Sequence, residues 1–113
     1  MIFNRDIQEH IRKIEYFGNW AIGRDSRKEQ TPYLSDLQKL ISELPADPVI
    51  GYWLKKFLDE VPRSTSRSIG HDSSCSFARS YLSNLISEVS SKPWENSTYE
   101  ERQKKAGELF ISE

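Results

Sequence analysis

A chain of 113 residues, 29% charged and 36% aliphatic or aromatic, has the length of one domain and enough apolar material for a core without disulfide or metal staples. That balance excludes a disordered chain, and the longest apolar run falls far short of the ~20 residues a membrane-spanning helix needs. A formal charge of −1 counts against a general nucleic-acid binder, which carries a basic excess.

The opening "MIFNRDIQEHIRK" has neither an apolar h-region nor a small-residue cleavage site, so no secretory signal is expected. One cysteine cannot form an internal bridge, which fits a reducing, cytoplasmic setting.

Five segments carry the 3.6-residue rhythm of helices, and none shows the period-two alternation of a strand. The first spans about Asn4 to Phe17. Asn4 is placed to cap it, Asp6 suits the positive end of its dipole, and Phe3, Ile7, Ile11, Ile14 and Phe17 form one stripe. Gly18 reads as the stop. "GNWAIGRDSRKEQ" then has two glycines and no periodicity, which predicts a long loop pinned to the core by Trp20 and Ile22.

In "TPYLSDLQKLISELP", Thr31 caps, Pro32 takes the first turn, where its missing N–H costs nothing, and Pro45 ends the second helix. "DPVIGYWLKKFLDEVP" repeats the grammar with Asp47 as cap, Pro48 at the first position and Pro62 beyond the end. Gly51 costs about 1 kcal/mol against alanine in a helix interior, which suggests close packing there. The fourth helix is expected from Asp72 or Ser73 to Ser90, with Cys75, Ala78, Leu82, Leu85 and Val89 inward. The fifth opens in "STYEERQKKAGELF" with Ser97 and Glu100 at capping-box spacing, and its thin stripe places it on the surface of a four-helix core. The fold class is therefore all-α: residues 1–113 form a single-domain bundle of four to five helices.

"RSTSRSIGHDSSCSF", Arg63 to Phe77, holds the densest chemistry. A helix N-terminus near Arg63 and Arg67 suits an anion, and His71, Asp72 and Ser73 can be drawn as a hydrolytic trio. Adjacent side chains seldom face one another, however, and triads are assembled from distant segments. The plainer reading is a flexible connector whose Asp72 or Ser73 caps the next helix. Cys75 sits mid-stripe as a core residue, and a His71 that precedes the helix spoils i, i+4 pairing with it. His10 lies beside Ile7 and Ile14 as a satisfied boundary histidine. Two histidines and one cysteine without C-x-x-C or H-E-x-x-H spacing provide no metal motif, and no phosphate-loop pattern occurs. The chain is read as no enzyme and as needing no cofactor.

Helices three and four lie too far apart for a helix-turn-helix, whereas the turn Pro45–Pro48 between helices two and three lacks that motif's usual glycine. Tryptophan, tyrosine and arginine, by contrast, are the residues that anchor protein interfaces, and Trp20, Tyr33, Trp94 and Tyr99 lie in connectors or at helix starts.

A small helical form, the connectors "GNWAIGRD" and "TPYLSD" and the failure of every catalytic motif together resemble the bacterial immunity proteins that neutralise toxins delivered by neighbouring cells, including those of contact-dependent growth inhibition systems. The resemblance implies a cytoplasmic, cofactor-free domain whose partner is a cognate protein, a toxin domain. The near-neutral charge departs from the acidic surplus common among immunity proteins against nucleases. The implied toxin is then either not a nuclease or is blocked away from its catalytic centre.

On this reading Trp20 and Tyr33 are rigid anchors, and Arg24, Asp36, Arg63 and Arg67 supply charge complementarity. No membrane partner is expected, and nucleic acid is disfavoured. The alternative is a regulatory or nucleic-acid-associated module using "RSTSRS" and neighbouring lysines.

Overall fold

The computed structural model describes residues 4–112, and side chains from Ile7 onward. The expectations for Phe3 and for the Asn4 and Asp6 side chains lie outside what is described. α1 (Asn4–Ala21) buries Ile7 and Ile14, with Ile11 and Phe17 beside them. It does not stop at Gly18. That glycine is where α1 meets α4 (His71–Ser90): a Cβ there would lie 2.5 and 2.7 Å from the two Leu82 methyls. Absence of a side chain, rather than freedom of the backbone, is what this position needs.

Gly18→Val is expected to lower stability by about 1–3 kcal/mol, the usual cost of overpacking. Leu82→Ala should cost less in that background than in the parent. Urea denaturation of the four chains measures the coupling, and strictly additive losses would show that the two helices do not meet there.

α2 (Arg27–Ser42) starts at Arg27 rather than at Thr31. Ser26 is extended and its hydroxyl accepts from the Glu29 amide at 3.2 Å, so it is the true cap. Pro32 falls inside the helix, where its missing N–H removes one ladder bond, and the Thr31 hydroxyl donates back to the Arg27 carbonyl at 2.9 Å. Most of the expected long loop is thus helix, and the connector shrinks to residues 22–26.

α3 (Pro48–Glu60) begins as expected. One Asp47 carboxylate oxygen accepts from the Val49 and Ile50 amides, both at 3.0 Å, with Pro48 in the first turn. Gly51 is exposed, with nothing within 4 Å of a Cβ placed on it, so it marks no close packing. Pro62 lies in a 3₁₀ turn (Val61–Ser64). α4 starts at His71, and Gly70, at φ +78°, holds the cap position in place of Asp72 or Ser73. A single turn, α5 (Pro93–Asn96), precedes α6 (Tyr99–Ile111). The α6 capping box is Thr98 with Glu101, one residue beyond the expected pair.

Paired residues fix the directions. Trp20 meets Tyr33 while His10 faces Glu43, so α1 and α2 are antiparallel. Trp53 on Tyr81, with Ser64 beside Cys75, sets α3 against α4 the same way. Asp47 joined to Arg102 and Tyr52 to Phe110 make α6 run parallel to α3. One shared core results, with Ile14, Leu37, Phe57, Val61, Leu85 and Val89 fully buried. The protein is an all-α single-domain bundle. No helix among the described residues is long and apolar enough to cross a membrane.

Two polar features depart from expectation. His10 Nε2 is buried without a hydrogen bond and has the Glu43 carboxylate only at 3.9 Å, so it is not a fully satisfied boundary residue. α6 is more than a surface helix. Its Arg102 is buried and donates to both Asp47 carboxylate oxygens, at 2.8 and 3.1 Å, and to Glu88 at 2.6 Å. This ion cluster ties the start of α3, the end of α4 and the first half of α6 together.

Candidate interaction surface

The end of the bundle where α1 hands over to α2 is built by capping. A helix leaves its last carbonyls without partners, and here side chains supply them. Gly23, at φ +77°, takes the left-handed turn that ends α1. Arg24 Nε then donates to the Trp20 carbonyl at 2.7 Å, and Gln30 Nε2 to the Ala21 carbonyl at 3.1 Å. The same Gln30 amide reaches the Val61 carbonyl at 2.8 Å and the Ser64 hydroxyl at 3.4 Å. One buried side chain therefore closes the ends of α1 and α3 together.

The hydroxyl-rich segment joins this seam. Ser64 Oγ donates to the Val61 carbonyl at 2.6 Å and accepts from the Gly23 amide at 3.1 Å. The Ser66 amide donates to the Arg24 carbonyl at 3.1 Å and its hydroxyl to Asp25 at 2.8 Å, while Thr65 and Ser68 bond to each other. The segment is not a flexible connector. The hydroxyls of Ser64 and Ser66 hold two loops in register.

His71 and Cys75 also aim at this seam. Since His71 opens α4, the i, i+4 pairing does form, contrary to expectation: Cys75 Sγ lies 3.7 Å from His71 Nδ1. Both point at one acceptor, the Ser64 carbonyl, Nδ1 at 2.8 Å and Sγ at 3.5 Å. A carbonyl accepts only, so Nδ1 carries the proton and cannot serve as a base toward the thiol. Asp72 is fully exposed and stands 3.7 Å from His71 Nε2, too far for a hydrogen bond. The geometry is that of a helix start pinned to a loop. Among the described residues no group of three or more histidine, cysteine, aspartate or glutamate side chains could hold a metal ion.

Capping of Trp20 by Arg24 has a second result. It folds the guanidinium back over the indole, 4.6 Å from the ring centroid and 4.9 Å from that of Tyr33, with an Nη2 donor 3.2 Å from the Tyr33 hydroxyl. The two rings are stacked at 6.5 Å and 21°, and Tyr16, one turn back on α1, lies 6.0 Å from Trp20. Trp20 is 48% and Tyr16 53% exposed. Trp20 is thus no core pin but an outward ring on a rigid helix, held laterally by its neighbours.

Of the sequence-derived surface, Trp20, Arg24 and Tyr33 come together. Asp36 lies one turn further along α2, exposed, over a groove shared with Lys13, Phe17 and Glu43. Arg63 and Arg67 are exposed and reach the same end through the backbone stitch, without a side-chain bond to the aromatic cluster. Trp94 and Tyr99 line a separate hollow with Asp47 and Arg102 at the opposite end. Tyr16, Gln30 and Ser66 went unread. Reading α1 through Gly18 would have exposed the i, i+4 spacing of Tyr16 and Trp20.

Comparison with known proteins returns no matching family model, no matching curated protein and no matching solved structure.

Proposed function

We propose that the chain is an interaction protein that occupies the surface of a cognate protein, in the manner of the small toxin-immunity proteins it resembles in form. The observation that carries this reading is the Trp20–Arg24–Tyr33 cluster: wide, part-exposed rings held rigid before any partner arrives. Pre-ordered aromatic and arginine side chains lose little conformational entropy on binding, which is how a few residues come to dominate an interface. The Ser64–Gln30 seam beneath them supports the same reading, because it fixes both loops in one arrangement. Catalysis is disfavoured by the commitment of His71 Nδ1, Cys75 and the loop hydroxyls to a single turn.

The test is capture on the immobilised chain from a native lysate, with the products of neighbouring genes as first candidates, followed by calorimetry. Trp20→Ala and Tyr33→Ala should each weaken binding by about 2 kcal/mol, roughly thirtyfold in Kd, with a thermal midpoint close to the parent's. Equal losses of binding and stability would assign the rings to the core and remove the surface.

A further inference from the structure

The surface so proposed has one charged group without a charge partner at its centre. Arg24 is held by its own helix end and by two rings, yet two contacts use only two of its five N–H groups. Asp25, the nearest carboxylate in sequence, accepts from the Ser66 hydroxyl instead. At the same end lie Arg27 and Lys28 in the first turn of α2, with Arg63 and Arg67 on the segment whose Ser66 amide is bonded to the Arg24 carbonyl. None of these five cations forms an ion pair among the described residues; Lys39, Arg79 and Lys104 are unpaired too, but each is on a different helix, whereas these five share one end of the bundle. The carboxylates of Glu29 and Asp72 sit in the first turns of α2 and α4, where the helix dipoles already favour them, and Asp36 lies one turn beyond Tyr33, over the groove it shares with Lys13 and Lys39.

Resting on the interaction reading, we infer that this end docks an acidic surface of a partner protein, with Arg24 receiving one of its carboxylates. An oriented guanidinium suits a carboxylate better than a mobile lysine does, because its planar fork is already in place. The surrounding cations add attraction at a distance and speed encounter. A protein fits better than a nucleic acid for two reasons. Bases bind single-strand sites by stacking on open ring faces, and here the Arg24 guanidinium already lies over one face of Trp20 and one of Tyr33. The cations are also gathered at one end rather than drawn out along a track for a phosphate backbone.

Two probes of equal formal charge, a short oligoglutamate and an oligothymidylate, are titrated at low salt into the isotope-labelled protein and followed by NMR. Oligoglutamate should shift the Arg24 Nε–H, the Trp20 indole N–H and the Ser66 and Arg67 amides saturably. Arg24→Gln should weaken that binding by about tenfold or more. Arg63→Glu with Arg67→Glu should do the same, and because both side chains are exposed it leaves the ring cluster intact should Arg24→Gln loosen it. No shift, equal shifts around Lys104 and Lys105, or tighter binding of oligothymidylate would each overturn the inference. A captured partner separates the two readings. If Trp20→Ala abolishes its binding while the charge variants do not, the surface stands and the acidic partner falls; if no variant matters, the surface falls too.

Discussion

Arg102→Ala is expected to lower the free energy of unfolding by about 3–5 kcal/mol, the scale for removing one member of a buried ion pair. Asp47 is 2% and Glu88 17% exposed at the side chain, so the truncation leaves Asp47 without its counter-ion in a nearly dry site and Glu88 with only the exposed Lys105. Asp47 would still accept from the Val49 and Ile50 amides, so the start of α3 should survive. α6 should not fare as well, because beyond Arg102 it buries only Ala106 and otherwise leans on Tyr52 through Phe110. Hydrogen exchange of the amides from 103 to 111 should therefore accelerate more than exchange in α3 or α4. A loss spread evenly over all helices would show that α6 is not docked by this cluster.

The same cluster sets an acid dependence. Burial pushes the Asp47 carboxyl up, but hydrogen bonds from Arg102 and from the Ile50 and Val49 amides, with the Arg102 charge, hold it below its ordinary value of 3.8. A carboxyl whose pKa is lower folded than unfolded contributes stability in full above the unfolded value and loses it as pH falls through the folded one. Hydrogen bonds to Asp47 and Glu88 and their charges hold the Arg102 guanidinium above its ordinary value, so its share is lost only in strong alkali. The parent and Arg102→Ala stability curves should converge as the pH drops below about 3.8. Curves that stay parallel into acid would mean the pair carries no differential charge energy.

How much of this was legible in the sequence follows from the range of each force. Asp47 and Pro48 were readable because capping acts within three residues, and the amides it satisfies are next to it in the chain. Arg102 was not, since its partner Asp47 lies 55 residues away and nothing local marks a lone arginine on a thin-striped helix. The two glycines exchange roles for the same reason. Gly18 ended a helix on paper and Gly51 suggested close packing, yet the neighbour that decides between those roles, Leu82, is supplied by another helix. Pro32 misplaced the start of α2 because a proline in the second turn carries the same local signature as one in the first. Trp20, Arg24 and Tyr33 could be singled out as candidates because aromatic and arginine side chains have few cheap uses on a surface. Their assembly was hidden by the seam beneath, where a glutamine joins the end of α1 to a Val61 that lies 31 residues along the chain from the glutamine itself.

That seam yields the second large effect: Gln30→Glu should destabilise the protein at neutral pH by about 3 kcal/mol or more, the scale of an unpaired buried charge. Gln30 is 1% exposed, and its Nε2 donates to the Ala21 and Val61 carbonyls. A carboxylate in its place would set negative oxygen against two carbonyl oxygens, and the one hydroxyl within reach, that of Ser64, already donates to the Val61 carbonyl. Only the protonated acid keeps one O–H for one carbonyl, so folding should raise the pKa of this glutamate above an unfolded value of about 4.3. The sign is opposite to that of Asp47: the penalty should be absent below the unfolded value and grow as pH rises toward the folded one. Gln30→Leu should cost less, about 1–3 kcal/mol, and show no such pH dependence. It strands the Ala21 carbonyl, but Val61 retains the Ser64 hydroxyl, and the Gln30 Oε1, itself buried without a partner, is removed with it. Urea midpoints across the acid range distinguish the three chains. If Gln30→Glu tracks Gln30→Leu at every pH, the seam admits water, and the loops carrying Arg24 and Ser66 are not held in a single arrangement before a partner binds.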